Sequence, residues 1–190
     1  MLTVAVDSAG VERALAALRV GLARPRPLLA RLGKSLEKEL RGHFLARDKE
    51  GNSHGWPSKH FWNREIRANT ALTSATDEQA TVTVASPAFG QKLYGGTIRA
   101  KRGRFLAIPA RQEAYAAGSP REGGMQGLFR PKGRRFLMDR EGLVQYWLVE
   151  RVTQAKDPRA LPDMDAVGNR LAQEAEAWIA RKLAAGGQKA

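Results

Sequence analysis

The residues best suited to chemistry in this sequence are three histidines, His43, His54 and His60, with the carboxylates Asp48 and Glu50 close by in the chain. Imidazole titrates near neutrality and ligates metals, so such a group is the first place to look for a general base or a metal centre. The spacing argues against both. No HExxH or comparable ligand pattern is present, and histidines scattered through a turn-rich stretch are ordinarily surface or loop residues. The chain has no cysteine, which excludes thiol catalysis, thiolate metal sites and disulfides. The glycine pairs fall in neither a GxGxxG nor a GxxxxGK frame behind a strand, so a nucleotide cradle is not expected. A protein without catalytic residues, cofactor or metal is the expectation.

Charge carries the stronger signal. The net charge is +13 over 190 residues, a field that favours polyanions or acidic protein surfaces. Between Lys92 and Arg140 stand 12 lysines and arginines against three acids, Glu113, Glu122 and Asp139. Within that segment Arg99, Lys101, Arg102 and Arg104 form one cluster, and Arg130, Lys132, Arg134 and Arg135 form another. Three readings stay open: a surface facing phosphates without reading bases, a surface docking on an acidic partner, or a solvated basic hairpin.

The elements that must hold these clusters follow from periodicity and turn chemistry. A length of 190 residues suits one domain over 1–190, and 43% apolar with 27% charged residues is a globular composition. Leu2 to Val6 are β-compatible, and Val11, Leu15, Leu18 and Leu22 share one helical face. The Arg24-Pro25-Arg26-Pro27 segment interrupts that helix, because proline lacks the amide donor. A second helix then places Leu29, Leu32, Leu36, Leu40 and Phe44 on one stripe and ends near Arg47. Residues 48–78 are read as a loop region in which Trp56 plugs back onto the core.

Residues 79–152 are read as a β-sheet with basic loops. Its expected strands are Thr81–Val84, Phe105–Ile108, and Arg135–Met138 and Val144–Val152 around the turn Asp139-Arg140-Glu141-Gly142; the glycine pair in Tyr94-Gly95-Gly96-Thr97-Ile98 permits a turn or a close backbone approach and is read as a hairpin, and Glu113 to Gly127 as a mobile stretch. Pro162-Asp163 opens a final helix over 163–185, carrying Met164, Val167, Leu171, Trp178 and Leu183. Trp56, Trp62, Trp147 and Trp178, with Phe44, Phe61 and Tyr146, read as core rather than as a recognition platform. The order gives an α+β fold: N-terminal helices and a C-terminal helix packed on a central antiparallel β-sheet with long basic loops. Met1 to Asp7 lack a signal-peptide pattern and no run is long enough to span a bilayer, so an unexported chain without membrane contact is expected.

Several segments carry a resemblance to a known family. Phe44, Asp48, Gly51 and Trp56-Pro57 form a helix end followed by an Asp, Gly, Trp loop. Tyr94-Gly95-Gly96-Thr97-Ile98 leads through the basic turn Arg99 to Arg104 into Phe105-Leu106-Ala107-Ile108-Pro109. A third segment, Val152 to Pro162, contains Pro158-Arg159. In this order the features resemble the Mu-like phage virion morphogenesis, or tail completion, proteins, over roughly residues 28 to 162. The chain departs from the pattern at Gln91-Lys92-Leu93-Tyr94, where relatives carry an aromatic and a glutamine before the glycine pair, and in an expanded loop from Ala110 to Lys132.

The resemblance implies a non-enzymatic subunit of the head-to-tail joint or tail end, assembled as a symmetric ring of six copies. It also implies adjacent connector and tail-tube proteins as partners, DNA in the channel, and a location in the virion after assembly in the host cytoplasm. Trp56, Tyr94, Gly95 and Gly96 would then serve assembly or anchor loops. The contractile-tail and flexible-tail versions both stay open. The alternative class is a basic nucleic-acid-binding protein without catalytic activity, which the charge supports and which lacks any nucleic-acid module signature. A metal-dependent nuclease comes last.

Overall fold

The computed structural model describes residues 24–187 other than 53, 102, 123 and 124. The expected strand at Leu2–Val6 and helix at Val11–Leu22 lie outside the described residues. Where the sequence reading draws a single domain, the described residues group into two compact units: 24–49, 60–86 and 161–187 form one, and 50–59 with 87–160 form the other. The α+β class is what the structure has, built from helices and small antiparallel sheets.

The first unit is organised by helix α1, Arg26–Lys49. Pro25 and Pro27 occupy its start, where backbone amides have no intrahelical partner and proline is tolerated. The buried positions are Leu28, Gly33, Leu40, Phe44 and Asp48, a stripe that keeps Leu40 and Phe44 of the expected one and is rotated toward the helix start, where Leu29, Leu32 and Leu36 are half-buried. The rotation has a cause: β1 (Thr70–Ala75) and β2 (Ala80–Val84) form an antiparallel hairpin that approaches α1 at Gly33. A Cβ at Gly33 would lie 2.6 Å from Leu72 Cδ1 and 3.0 Å from Ala80 Cβ, so the missing side chain lets helix and hairpin approach closely without displacing Leu72. Between α1 and the hairpin, Phe61–Arg67 forms a π-helical segment with Ile66 fully buried.

The C-terminal helix α4, Met164–Gly187, opens as expected: Asp163 Oδ1 accepts from the amides of Asp165 (3.0 Å) and Ala166 (3.2 Å). It lies along α1, tied by Arg170 to Glu39 and by Arg31 to Glu174. No described helix is long and apolar enough to cross a membrane.

The second unit holds α2 (Pro87–Tyr94), β3 (Gly96–Arg99), β4 (Leu106–Pro109), α3 (Gln112–Ala117), β5 (Phe136–Met138), β6 (Val144–Val149) and β7 (Arg151–Gln154). Instead of one central sheet, the described strands make three small antiparallel sheets, β1–β2 in the first unit, and β3–β7 and β4–β6–β5 here. The expected strand Val144–Val152 is two, because Glu150 breaks the ladder and β7 turns to pair with β3.

Two further expectations are corrected. Gly95-Gly96 is not a hairpin turn but the junction from α2 to β3: Gly95 N donates to Gln91 O (3.0 Å), ending the helix in a left-handed conformation. The stretch Glu113 to Gly127 is not all loop. Gln112–Ala117 is helical and Pro120–Glu122 a short 3₁₀ turn.

Candidate basic interface

The geometry of the β4–β6–β5 sheet brings the two basic clusters to one place. Both β4 and β5 run antiparallel to β6, so the start of β4, the end of β6 and the start of β5 meet at the same end of the sheet. Arg104, two residues before β4, and Arg135, one residue before β5, therefore converge on Glu150, one residue after β6. Arg104 Nη2 lies 3.2 Å and Arg135 Nη2 3.8 Å from the same Glu150 oxygen. The guanidiniums of Arg104 and Arg130 lie 5.2 and 5.0 Å from the centre of the Phe105 ring, within cation–π range.

β7 continues from this end, and its first residue, Arg151, stands directly opposite Arg99 of β3. Both are exposed, and so are Lys101, Arg104, Arg130, Lys132, Arg134 and Arg135. Lys132 occupies the tip of the turn Pro131–Arg134, closed by Arg134 N donating to Pro131 O (3.1 Å) with Gly133 left-handed. Arg130 Nε donates to Arg134 O at 2.7 Å, fixing the base of that turn. Arg102 lies outside the described residues.

The support beneath this surface is Tyr146. Its side chain is completely buried on the inner face of β6, and its hydroxyl, with one proton to share, lies within hydrogen-bond distance of the carbonyl oxygens of Ala114 (3.0 Å) and Gly118 (2.9 Å) at the C-terminal end of α3. Burial pushes its phenol above the ordinary value. Thus α3 is clamped on one face of the sheet. The β5–β6 turn is held by Asp139, which accepts from the Gln145 amide (2.6 Å) and from Leu143 N (2.8 Å). These bonds keep its carboxyl below the usual range.

The other residues singled out for assembly or anchoring separate into distinct roles. Trp56 closes its loop: Asn52 accepts from Trp56 N and donates to Trp56 O, and the indole packs on Tyr115 of α3 with ring centres 5.2 Å apart. Gly95 is a close-approach position, since a Cβ there would meet Gln154 O at 2.7 Å and Lys156 N at 2.8 Å. Gly96 adopts φ 133 beside Gln91. Tyr94 is 80% exposed, the most exposed large hydrophobic side chain among the described residues.

The histidines go to three different settings. His60 Nδ1 lies 2.8 Å from Asp48 Oδ2, while Asp48 Oδ1 accepts from Asn63 N, so this pair anchors the π-helical segment to the end of α1. His54 stacks on Trp56, and His43 meets Phe44 edge-on. Among the described residues no group of three His, Asp or Glu lies close enough to hold a metal ion.

Sequence reasoning missed Glu150 and Arg151 as members of the basic interface, because they fell inside one apparent strand. It also assigned Trp147 to the core, whereas Trp147 is 49% exposed. Compared with protein-family models, curated proteins and solved structures, the chain matches none.

Proposed function

We propose that this chain is a structural, non-enzymatic subunit of a phage neck or tail-completion ring, with its basic interface turned toward the adjoining ring or toward DNA in the channel. The observation that carries the reading is the convergence of Arg104 and Arg135 on Glu150 beside the opposed pair Arg99 and Arg151. One carboxylate pairs with two of these exposed arginines, Arg104 and Arg135, a surface whose charge calls for an anionic counterpart outside the chain. The motif resemblance through Gly95-Gly96 and Leu106-Ala107-Ile108-Pro109 supports the phage assignment. A ring of six copies, made in the host cytoplasm and carried into the virion, is part of this reading.

Light scattering of the purified chain, alone and mixed with connector or tail-tube protein, tests it together with electron microscopy of particles made without it. Unjoined heads and tails are expected. Particles that join and infect without the chain would end the proposal.

A second reading has its own support: exposed arginines that outnumber the one carboxylate, Glu150, placed among them suit phosphates, which makes a non-catalytic nucleic-acid-binding protein the competing class. Its signature is DNA affinity that falls steeply with salt.

A further inference from the structure

The β4–β6–β5 sheet has one face buried and one face open. On the buried face stand Tyr146 and Leu148 of β6, with Ala114 of α3 against them. On the open face Ile108, Trp147 and Phe136 form a row across the three strands, since Ile108 and Phe136 are the direct partners of Trp147. Trp147 is 49% and Ile108 38% exposed, and the Phe136 ring meets the indole edge-on at 5.9 Å. Leu106 and Val149, the next pair along the same face, extend the row toward the arginines. An antiparallel sheet with one wet face normally alternates apolar and polar residues, so an aliphatic and aromatic row there is unusual.

The row ends at Arg104 and Arg135, with Arg99 and Arg151 beyond them. We propose that this face binds an extended acidic segment of a partner protein, which lays an apolar side chain on Trp147 and Ile108 and its carboxylates against Arg104, Arg135 and Arg151. The proposal rests on the neck reading above and names the chemistry of the partner.

Charge complementarity selects this occupant. A second copy presenting this same face would bring its own Arg104, Arg135 and Arg151 against these and be repelled here, so contacts between copies of the ring fall on other surfaces. Nucleic acid would satisfy the arginines, but a phosphate backbone gains nothing from covering Ile108, Leu106 and Val149, and only one indole offers a stacking platform. A peptide uses both halves: carboxylates accept paired hydrogen bonds from guanidinium, and tryptophan with arginine are the residues that most often dominate protein interfaces.

The test is calorimetric titration of the full chain, at low salt, with a synthetic peptide that alternates Asp or Glu with Leu and Phe. A control peptide has serine in place of Leu and Phe, and a short oligodeoxythymidylate serves as the nucleic-acid probe. The acidic apolar peptide should bind, and the serine peptide should bind about tenfold more weakly or worse. Trp147→Ala and Arg135→Glu should each weaken the apolar peptide by about tenfold. Ile108→Thr, which keeps a β-branched side chain on the strand, should weaken it with unchanged circular dichroism.

Equal affinity for both peptides overturns the proposal, as does no binding at all. So does tighter binding of the oligonucleotide that is lost in Arg135→Glu and kept in Trp147→Ala, an outcome that assigns the face to nucleic acid. A chain that ignores the peptide yet is required to join heads to tails removes this inference alone. One that binds it yet is dispensable for joining removes the neck reading instead.

Discussion

Arg99 faces Arg151 directly across the ladder of β3 and β7, two like charges at one register position of a two-stranded sheet. Such a pairing works against folding, because opposed like charges on neighbouring strands repel. It persists on an otherwise ordinary ribbon in which Thr97 faces Thr153 on the same side and Ile98 faces Val152 on the other. An anionic partner would offset the repulsion, which links the cost of the pair to the use of the surface.

Arg151→Glu should therefore stabilise the isolated chain, by about 0.5 kcal/mol for an exposed cross-strand pair. Urea unfolding at low and high salt measures it. The parent chain should gain stability as salt screens the repulsion, and the variant should gain less or lose. A variant less stable than the parent at low salt would contradict this account.

Gly95→Ala tests the junction between α2 and β3. The backbone there has φ 72, and an added Cβ would press on Gln154 O and Lys156 N, both backbone atoms of the segment leaving β7 that cannot rotate away. Left-handed strain alone is worth about 1–2 kcal/mol for a residue with a Cβ, so a loss of about 2 kcal/mol or more is expected. The urea midpoint reports it, and a midpoint within error of the parent would refute the close approach.

What could be read in advance, and what could not, follows the reach of each interaction. Helix α1 and the capped start of α4 were legible because periodicity, the prolines and Asp163 are local signals. The turn Asp139–Gly142 was legible for the same reason, with Gly142 at positive φ. Strand β1 was hidden in the assumed loop, since Thr70–Ala75 carries one large apolar residue, Leu72, and owes its place to α1: Leu72 N donates to Glu37, and Arg41 donates to Thr70 O. Helix α2 was masked by Pro87 at its first position and Gly90 within it.

The basic clusters were plain as charge density along the chain. Their meeting on Glu150 depends on which strands pair, a long-range fact that spacing does not encode. Trp147 looked like core for a related reason: alternation along β6 divides its residues between two faces and says nothing about which face is covered.

Tyr146→Phe should cost about 1–2 kcal/mol, because it removes the hydroxyl whose hydrogen bond ties the end of α3 to β6. The loss should be pH-dependent. Since burial raises the phenol's folded value above its ordinary 10.0, the parent holds this stability below pH 10 and loses it as the pH climbs toward the folded value. The phenylalanine variant has no such ionisation, so the two unfolding midpoints should draw together at alkaline pH. A constant gap across that range would show that Tyr146 does not titrate with unfolding.

On the acid side Glu37 and Glu174 of the first unit join Asp139 as carboxylates lowered on folding. Hydrogen bonds from Lys34 and from Leu72 N, with Lys34 and Arg41 as nearby charges, hold Glu37 below its ordinary 4.5. A hydrogen bond with Ser35, together with Arg31, does the same for Glu174. A carboxylate lowered on folding stabilises the chain at pH values above its unfolded value, and that contribution drains away as pH falls through the lower folded one. Glu37→Gln and Glu174→Gln together should thus be less stable than the parent at neutral pH and show a flatter loss of stability below about pH 4.5. Urea midpoints between neutral pH and strong acid decide the matter. Parallel curves for parent and double variant would mean that α1 draws no stability from its contacts with β1 and α4 through these two carboxylates.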